Sequence, residues 1–156
     1  MRKRIINRTA AAAAVQPEAW INIESTADVE VTSEDERHPI ESAFRFGQEE
    51  GWRAREPGRQ TIRMFFDPPR PIRRIWLQFV EAEQERTQQF TLRWSPDGQV
   101  FHEIVRQQWN FSPSGSTIQT EDYRVDLKNV SVIEVTIDPD MNRGDTIASI
   151  ADWRIA

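Results

Sequence analysis

The residues with the clearest chemical potential lie close together past the middle of the chain. Arg106, Gln107, Gln108, Trp109, Asn110 and Phe111 interleave flat aromatic rings with planar hydrogen-bonding groups. A saccharide offers a face of C–H bonds that an aromatic ring covers, and pairs of hydroxyls that Arg, Asn or His side chains bridge. Stacking by Trp109 and Phe111, with Arg106 and Asn110 as forks, is the chemistry this composition suits. Pro113 and Gly115 follow among serines, so Trp109–Thr117 reads as a loop. The alternative is that both rings plug one open end of a barrel, and the residues leave the two readings open. A second group, Arg37, His38 and Glu41 with Arg53 and Arg55, would add forks if it met the first. Salt bridges such as Arg37 with Glu41 account for the same charges.

Catalysis has little to draw on. There are two histidines, His38 and His102, no cysteine, no Gly-x-Ser-x-Gly elbow and no phosphate loop. Glu81, Glu83 and Glu85 have the character of a glycosidase's paired carboxylates. A charged hairpin tip is the simpler account. No catalytic residue is assigned, and the chain is not expected to be an enzyme.

The elements that would carry these groups are strands. In Ile72–Gly98, Ile75, Leu77 and Phe79 share one face of a first arm, and Phe90, Leu92 and Trp94 share one face of a second. This period of two predicts half-buried strands, and the segment between them, Glu83–Gln89, has no apolar residue. The expectation is a central antiparallel hairpin with a solvated tip. Around it, alternation predicts strands at Ile21 and Ile23, at Val29 and Val31, and from Ile62 to Phe66, the last stopped by Pro68 and Pro69. Further strands are expected over Val100–Gln107, Tyr123–Leu127, Val132–Ile137 and Ile147–Ile155. Eight or nine short strands without a long helix define an all-β sandwich or barrel.

The chain has 156 residues, within the range of one domain that buries about 70% of its unfolded surface. Its formal charge of −5 is the wrong sign for a general nucleic-acid binder, and nucleic acid is not an expected partner. Of the 20 basic residues, 18 are Arg, which suits bidentate recognition, although codon bias produces the same excess. The opening MRKR leads to Ala10–Val15, but Asn7, Arg8 and Thr9 interrupt what a secretory h-region needs. Residues 1–19 are read as a flexible arm, 20–156 as the domain, and the protein as cytoplasmic with no membrane partner. Oligomeric state is not legible.

Several of these motifs occur together in one known family. Gly51-Trp52, Pro57-Gly58 with Gln60-Thr61-Ile62, and Ile72–Phe79 are followed by Phe90-Thr91-Leu92, Ser95-Pro96-Asp97-Gly98 and Ala148-Ser149-Ile150-Ala151. In that order they resemble the discoidin, or coagulation factor 5/8 type C, domains. The most specific part is the run Phe90, Leu92, Ser95, Asp97, Gly98. The resemblance spans nearly all of Trp20–Ala156 and implies an antiparallel galactose-binding-like jelly roll with its ligand site in loops at one end. It implies Trp52 in the core and a non-catalytic recognition role, for carbohydrate or, as in a DNA-repair scaffold of the same fold, for a protein partner. The expected ligand-binding residues are Trp109, Asn110, Arg106, Arg53, His38 and Phe111. Members with a structural calcium usually carry an Asp-Gly where this chain reads Ala43, Phe44, Arg45, Phe46, Gly47. The carboxylate is missing and Arg45 would repel a cation, so no cofactor or metal site is expected. Glu36 and Asp152 are the remaining hard-oxygen candidates.

Overall fold

The computed structural model describes residues 20–45 and 51–156. The arm expected at 1–19, with Asn7, and the stretch holding Phe46 and Gly47 lie outside the described residues. Among those described are eight strands: β1 (Ala27–Val31), β2 (Trp52–Arg53), β3 (Gln60–Val80), β4 (Arg86–Ser95), β5 (His102–Phe111), β6 (Ile118–Asp138), β7 (Ser149–Ile150) and β8 (Asp152–Ile155). Two single helical turns, α1 (Ile23–Thr26) and α2 (Glu41–Phe44), flank β1 and β2. Asn22 caps α1 by accepting from the Ser25 amide at 3.3 Å, so the expected strand at Ile21 and Ile23 gives way to a turn.

The two longest strands organise the sandwich. β3 and β6, 21 residues each, run antiparallel along their length and bend together. Their N-terminal and C-terminal halves join different layers. One layer is β1, the first half of β3, the second half of β6, β4 and β5; the other is β8, the second half of β3 and the first half of β6. The bend falls at Asp67-Pro68-Pro69-Arg70-Pro71, where three residues lack an N–H and the pairing register shifts. The prolines were expected to end a strand. Instead they leave the ladder for a few residues, exposed, while β3 crosses from one layer to the other. The expected Tyr123–Leu127 and Val132–Ile137 strands are likewise two halves of β6, and the expected last strand is split into β7 and β8.

The central hairpin is the main correction. β4 pairs with β5 and β6, while the second half of β3 pairs with β6 and β8, so the two arms lie in opposite layers. Their apolar faces still meet, but across the core: Phe79 and Phe90 are 5.3 Å apart between ring centroids. Alternation predicts which face is inward without saying which strand is the hydrogen-bonded neighbour. Ile62, Met64, Ile75, Leu77, Phe79, Phe90, Leu92, Ile133, Val135 and Ile137 are all buried between the layers. Trp52 is fully buried, as the resemblance implies, and donates its Nε1–H to the Ser33 carbonyl at 3.2 Å.

The Ser95–Gly98 run closes the β4–β5 hairpin, and each residue type has a task. Ser95 Oγ accepts from the Gly98 amide at 2.8 Å, and Asp97 Oδ1 accepts from Gln99 and Val100 at 2.8 and 3.0 Å. Gly98 takes φ +77°. Hydrogen bonds from the Val100 and Gln99 amides and the Ser95 hydroxyl hold the Asp97 carboxyl below its ordinary pKa. β5 continues through Trp109 to Phe111, so the loop begins at Ser112.

Gly51 has φ +62°, and a Cβ there would collide with the backbone of Ile150 and Ala151 across the β2–β7 pair. Gly51→Ala is expected to cost at least about 2 kcal/mol in urea unfolding. Gly115→Ala, with open space around it, should stay within about 0.5 kcal/mol of the parent.

Candidate functional site

At one end of the sandwich the strands deliver three connections side by side: residues 81–85 between β3 and β4, 112–117 between β5 and β6, and 139–148 between β6 and β7. The 139–148 connection is tied down at both ends. The Met141 amide donates to the Thr87 carbonyl at 2.8 Å, and Gln84 Nε2 donates to Thr146 Oγ1 at 3.2 Å. Two polar depressions flank it. One, of about 400 Å³, is lined by Arg86, Thr87, Asn110, Asp140, Asn142 and Arg143 among others. The other, of about 360 Å³, holds Arg53, Glu81, Glu83, Gln84, Asp145 and Ser149.

Between them lies a buried cation. The Arg86 side chain is 1% exposed and its Nε contacts Glu81 Oε1 at 2.8 Å. Its Nη1 donates to Gln88 Oε1 at 3.0 Å and to the Pro139 carbonyl at 2.7 Å, and its guanidinium sits 4.6 Å from the Phe111 ring centroid. Burial raises the Glu81 carboxyl pKa, but Arg86 and the backbone amides of Glu83 and Gln84 outweigh it, so the net shift is downward. The chain of contacts continues from Gln88 Nε2 to Gln119 Oε1 at 3.1 Å, from Gln119 Nε2 to Glu121 Oε1 at 3.0 Å, and from the Tyr123 hydroxyl to Glu121 Oε2 at 2.7 Å. Burial and that carboxylate push the Tyr123 phenol pKa up. With Arg86 paired, the groups left to meet a ligand at this end are Arg53, Asn110, Asn142 and the exposed Arg143, which contacts Asp145 at 3.0 Å.

The expected site residues are brought together only in part. Asn110 lines the first depression, its Oδ1 accepting from Thr87 Oγ1 at 2.8 Å, and Arg53 lines the second. Phe111 is fully buried beneath Arg86. Trp109 stands on β5, half-buried against the core, with its Nε1 enclosed and no acceptor among the described residues. Strand alternation sends Arg106 to the opposite, outer face, where it contacts Glu103 at 3.1 Å. His38 adjoins Arg53 through the backbone, the Arg53 amide donating to the His38 carbonyl at 3.1 Å, and its ring lies 3.7 Å from Asp35.

Arg86, Asn142 and Arg143 escaped the sequence reading. Arg86 and Gln88 share parity with Phe90 and Leu92, and that signal places them on the inward face. The charge of the tip concealed it. Of the metal candidates, Asp152 is paired with Arg154 at 2.7 Å, and Arg45, expected to repel a cation, is paired with Glu24 at 2.7 Å. Among the described residues no three His, Asp or Glu cluster as metal ligands would.

Comparison of the sequence with protein-family models and with curated proteins gives no significant match. The structure is similar to the carbohydrate-binding module CBM32-3 from a family 31 glycoside hydrolase of Clostridium perfringens. The TM-score is 0.64 at 15% identity over 88% of this chain and 94% of the module. It is similar also to CpGH89CBM32-5 from Clostridium perfringens, solved in complex with GalNAc-β-1,3-galactose, with TM-score 0.61, 17% identity, and coverage of 86% and 97%. The lectin domain of lectinolysin, complexed with Lewis B antigen, gives TM-score 0.60 at 12% identity over 87% and 96%. At these identities the likeness establishes the fold alone, an antiparallel jelly-roll sandwich.

Arg86→Met leaves the half-buried Glu81 carboxylate without its cation and is expected to destabilise the protein by about 2 kcal/mol in urea unfolding. The pH dependence has a definite sign, because the folded Glu81 pKa lies below its ordinary 4.5. Its contribution is complete above pH 4.5 and declines as the pH falls through the lower folded-state value. Glu81→Gln should lack that acid-side decline.

Proposed function

We propose that this chain is a non-catalytic carbohydrate-recognition module and that its site is the loop end built around Arg86. The observation that carries the reading is the set of polar forks there. Arg53, Asn110, Asn142 and Arg143 surround two shallow depressions on a floor held by a buried ion pair, in the fold of modules solved with sugars. Arg and Asn side chains bridge neighbouring hydroxyls with little reorganisation when their supports are fixed. The site's polarity favours hydroxyl bridging over ring stacking, since Phe111 is enclosed and Trp109 half-buried. A shallow polar site gives weak affinity for one sugar unit.

A protein-interaction role is the second reading, favoured by Val80 and Ile118. These residues pair across β3 and β6 at the same end and are 42% and 52% exposed. The proposal also keeps the protein in the cytoplasm and away from nucleic acid and membrane. The cysteine-free composition and the charge of −5 support this part alone.

Two-dimensional amide NMR titration of the labelled protein with galactose-, glucose-, uronate- and amino-sugar-containing oligosaccharides tests the loop-end site. One class should shift Asn110, Asn142, Arg143 and Arg53 together, and Arg143→Ala should weaken that response about tenfold. Silence of these amides at millimolar ligand would overturn the reading and send the protein to partner pull-downs.

A further inference from the structure

The outer face of the larger layer carries an ordered pattern that the loop end does not use. Strand register aligns Glu30, Arg63, Glu134, Arg93 and Glu103 in one row across β1, β3, β6, β4 and β5, alternating in sign at each step. Glu134, 2% exposed, is saturated by Arg63 Nε at 2.7 Å and Arg93 Nη2 at 2.6 Å, so the centre of this row is taken up by its own ion pairs. The next row is Thr61, Thr136, Thr91 and Arg106, with the first two hydroxyls 3.2 Å apart. Beyond it Asp138 aligns with Gln89 and Gln108. Short threonines between two rows of long side chains make a trough, and the structure has a depression of about 200 Å³ there. Arg59, Gln89, Thr91, Arg106, Thr136 and Asp138 line it, against the Arg93–Glu134 pair. That volume is roughly seven water volumes at about 30 Å³ each, the scale of one monosaccharide.

The charges left over give the chemistry. Among the described residues Arg59 has no ion pair and Asp138 no side-chain hydrogen bond, although both line the trough. Arg106 is 58% exposed and only loosely held by Glu103. Two available guanidinium groups, one carboxylate acceptor, an amide and two hydroxyls match a sugar ring that carries its own carboxylate. A guanidinium takes the ligand carboxylate in a bidentate pair, while Asp138, Gln89 and the threonines take ring hydroxyls. We propose that the outer sheet face is a second binding site, selective for a hexuronic acid over a neutral hexose. It is separate from the loop end and stands without it.

The test is an amide NMR titration of the full chain with glucuronate, galacturonate, glucose, galactose and sodium sulfate at matched ionic strength. Uronates are expected to shift Gln89, Thr91, Arg106 and Thr136 saturably, with neutral hexoses and sulfate leaving them in place. Arg59→Gln and Arg106→Gln should each weaken the uronate response about tenfold while the remaining spectrum stays dispersed. Arg143→Ala, at the loop end, should leave it unchanged, so failure of either site is seen independently. No shift of these four amides by any uronate overturns the proposal. An equal response to neutral hexose removes the carboxylate selectivity, and an equal response to sulfate reduces the trough to a general anion site; either result also overturns it.

Discussion

One buried guanidinium holds the loop end of this molecule together. An enclosed charge is tolerated only when oppositely charged and polar neighbours surround it, and those around Arg86 come from separate parts of the chain. Glu81 arrives from the β3–β4 connection, the Pro139 carbonyl from the β6–β7 connection, and Gln88 from β4 itself. The demand of one cation therefore draws loops distant in sequence into a fixed relation. Gln88 then passes the network to Gln119, both fully buried, and so from one layer to the other. The two layers are joined by apolar contact such as Phe79 with Phe90 and by a directional polar chain that admits one alignment.

The architecture makes such a network possible because β3 and β6 belong to both layers. Two long strands bending together at Asp67–Pro71 bring the second half of β3 over β4, so that the end of β3 and the start of β4 meet across the core. Groups at that end inherit its rigidity: Arg53 and Asn110 stand on β2 and β5, and Asn142 and Arg143 on the connection tied down at Thr87 and Gln84. The outer face of the larger layer obtains its order differently. There the pairing of five strands lines up charges of alternating sign, across a register shift at Arg93 between β4 and β5, and Glu134 at the centre is satisfied from both sides.

Much of the core was legible. Period-two alternation marks Ile62, Met64, Ile75, Leu77, Phe79, Phe90 and Leu92 as inward, and all are buried. Trp52 sits where the resemblance puts it, and Ser95, Asp97 and Gly98 form the turn their types demand. The candidate site was legible only in pieces. Trp109 and Arg106 are three residues apart on one strand, so the assumption of a loop hid the fact that they face opposite sides. Arg86 and Gln88 carried the correct parity, but polar composition argued for water, and a paired buried cation looks the same in sequence as a solvated one.

The sequence by itself determined the fold class, the inward faces of the strands, the β4–β5 turn and the surplus of arginine forks. Each is a local property: side-chain direction alternates along a strand, and turn residues act within a few positions. Tertiary structure alone decided that Ile72–Phe79 and Phe90–Trp94 oppose each other across the core rather than pair, and that three prolines bend a strand instead of ending it. It also decided which arginines became structure, as Arg86 and Arg93 did, and which, as Arg53, Arg59 and Arg143, stayed exposed at the surface. The reason is that pairing partners, burial and charge neutralisation depend on residues far apart in the chain, and only the packed layers bring those residues within hydrogen-bonding distance.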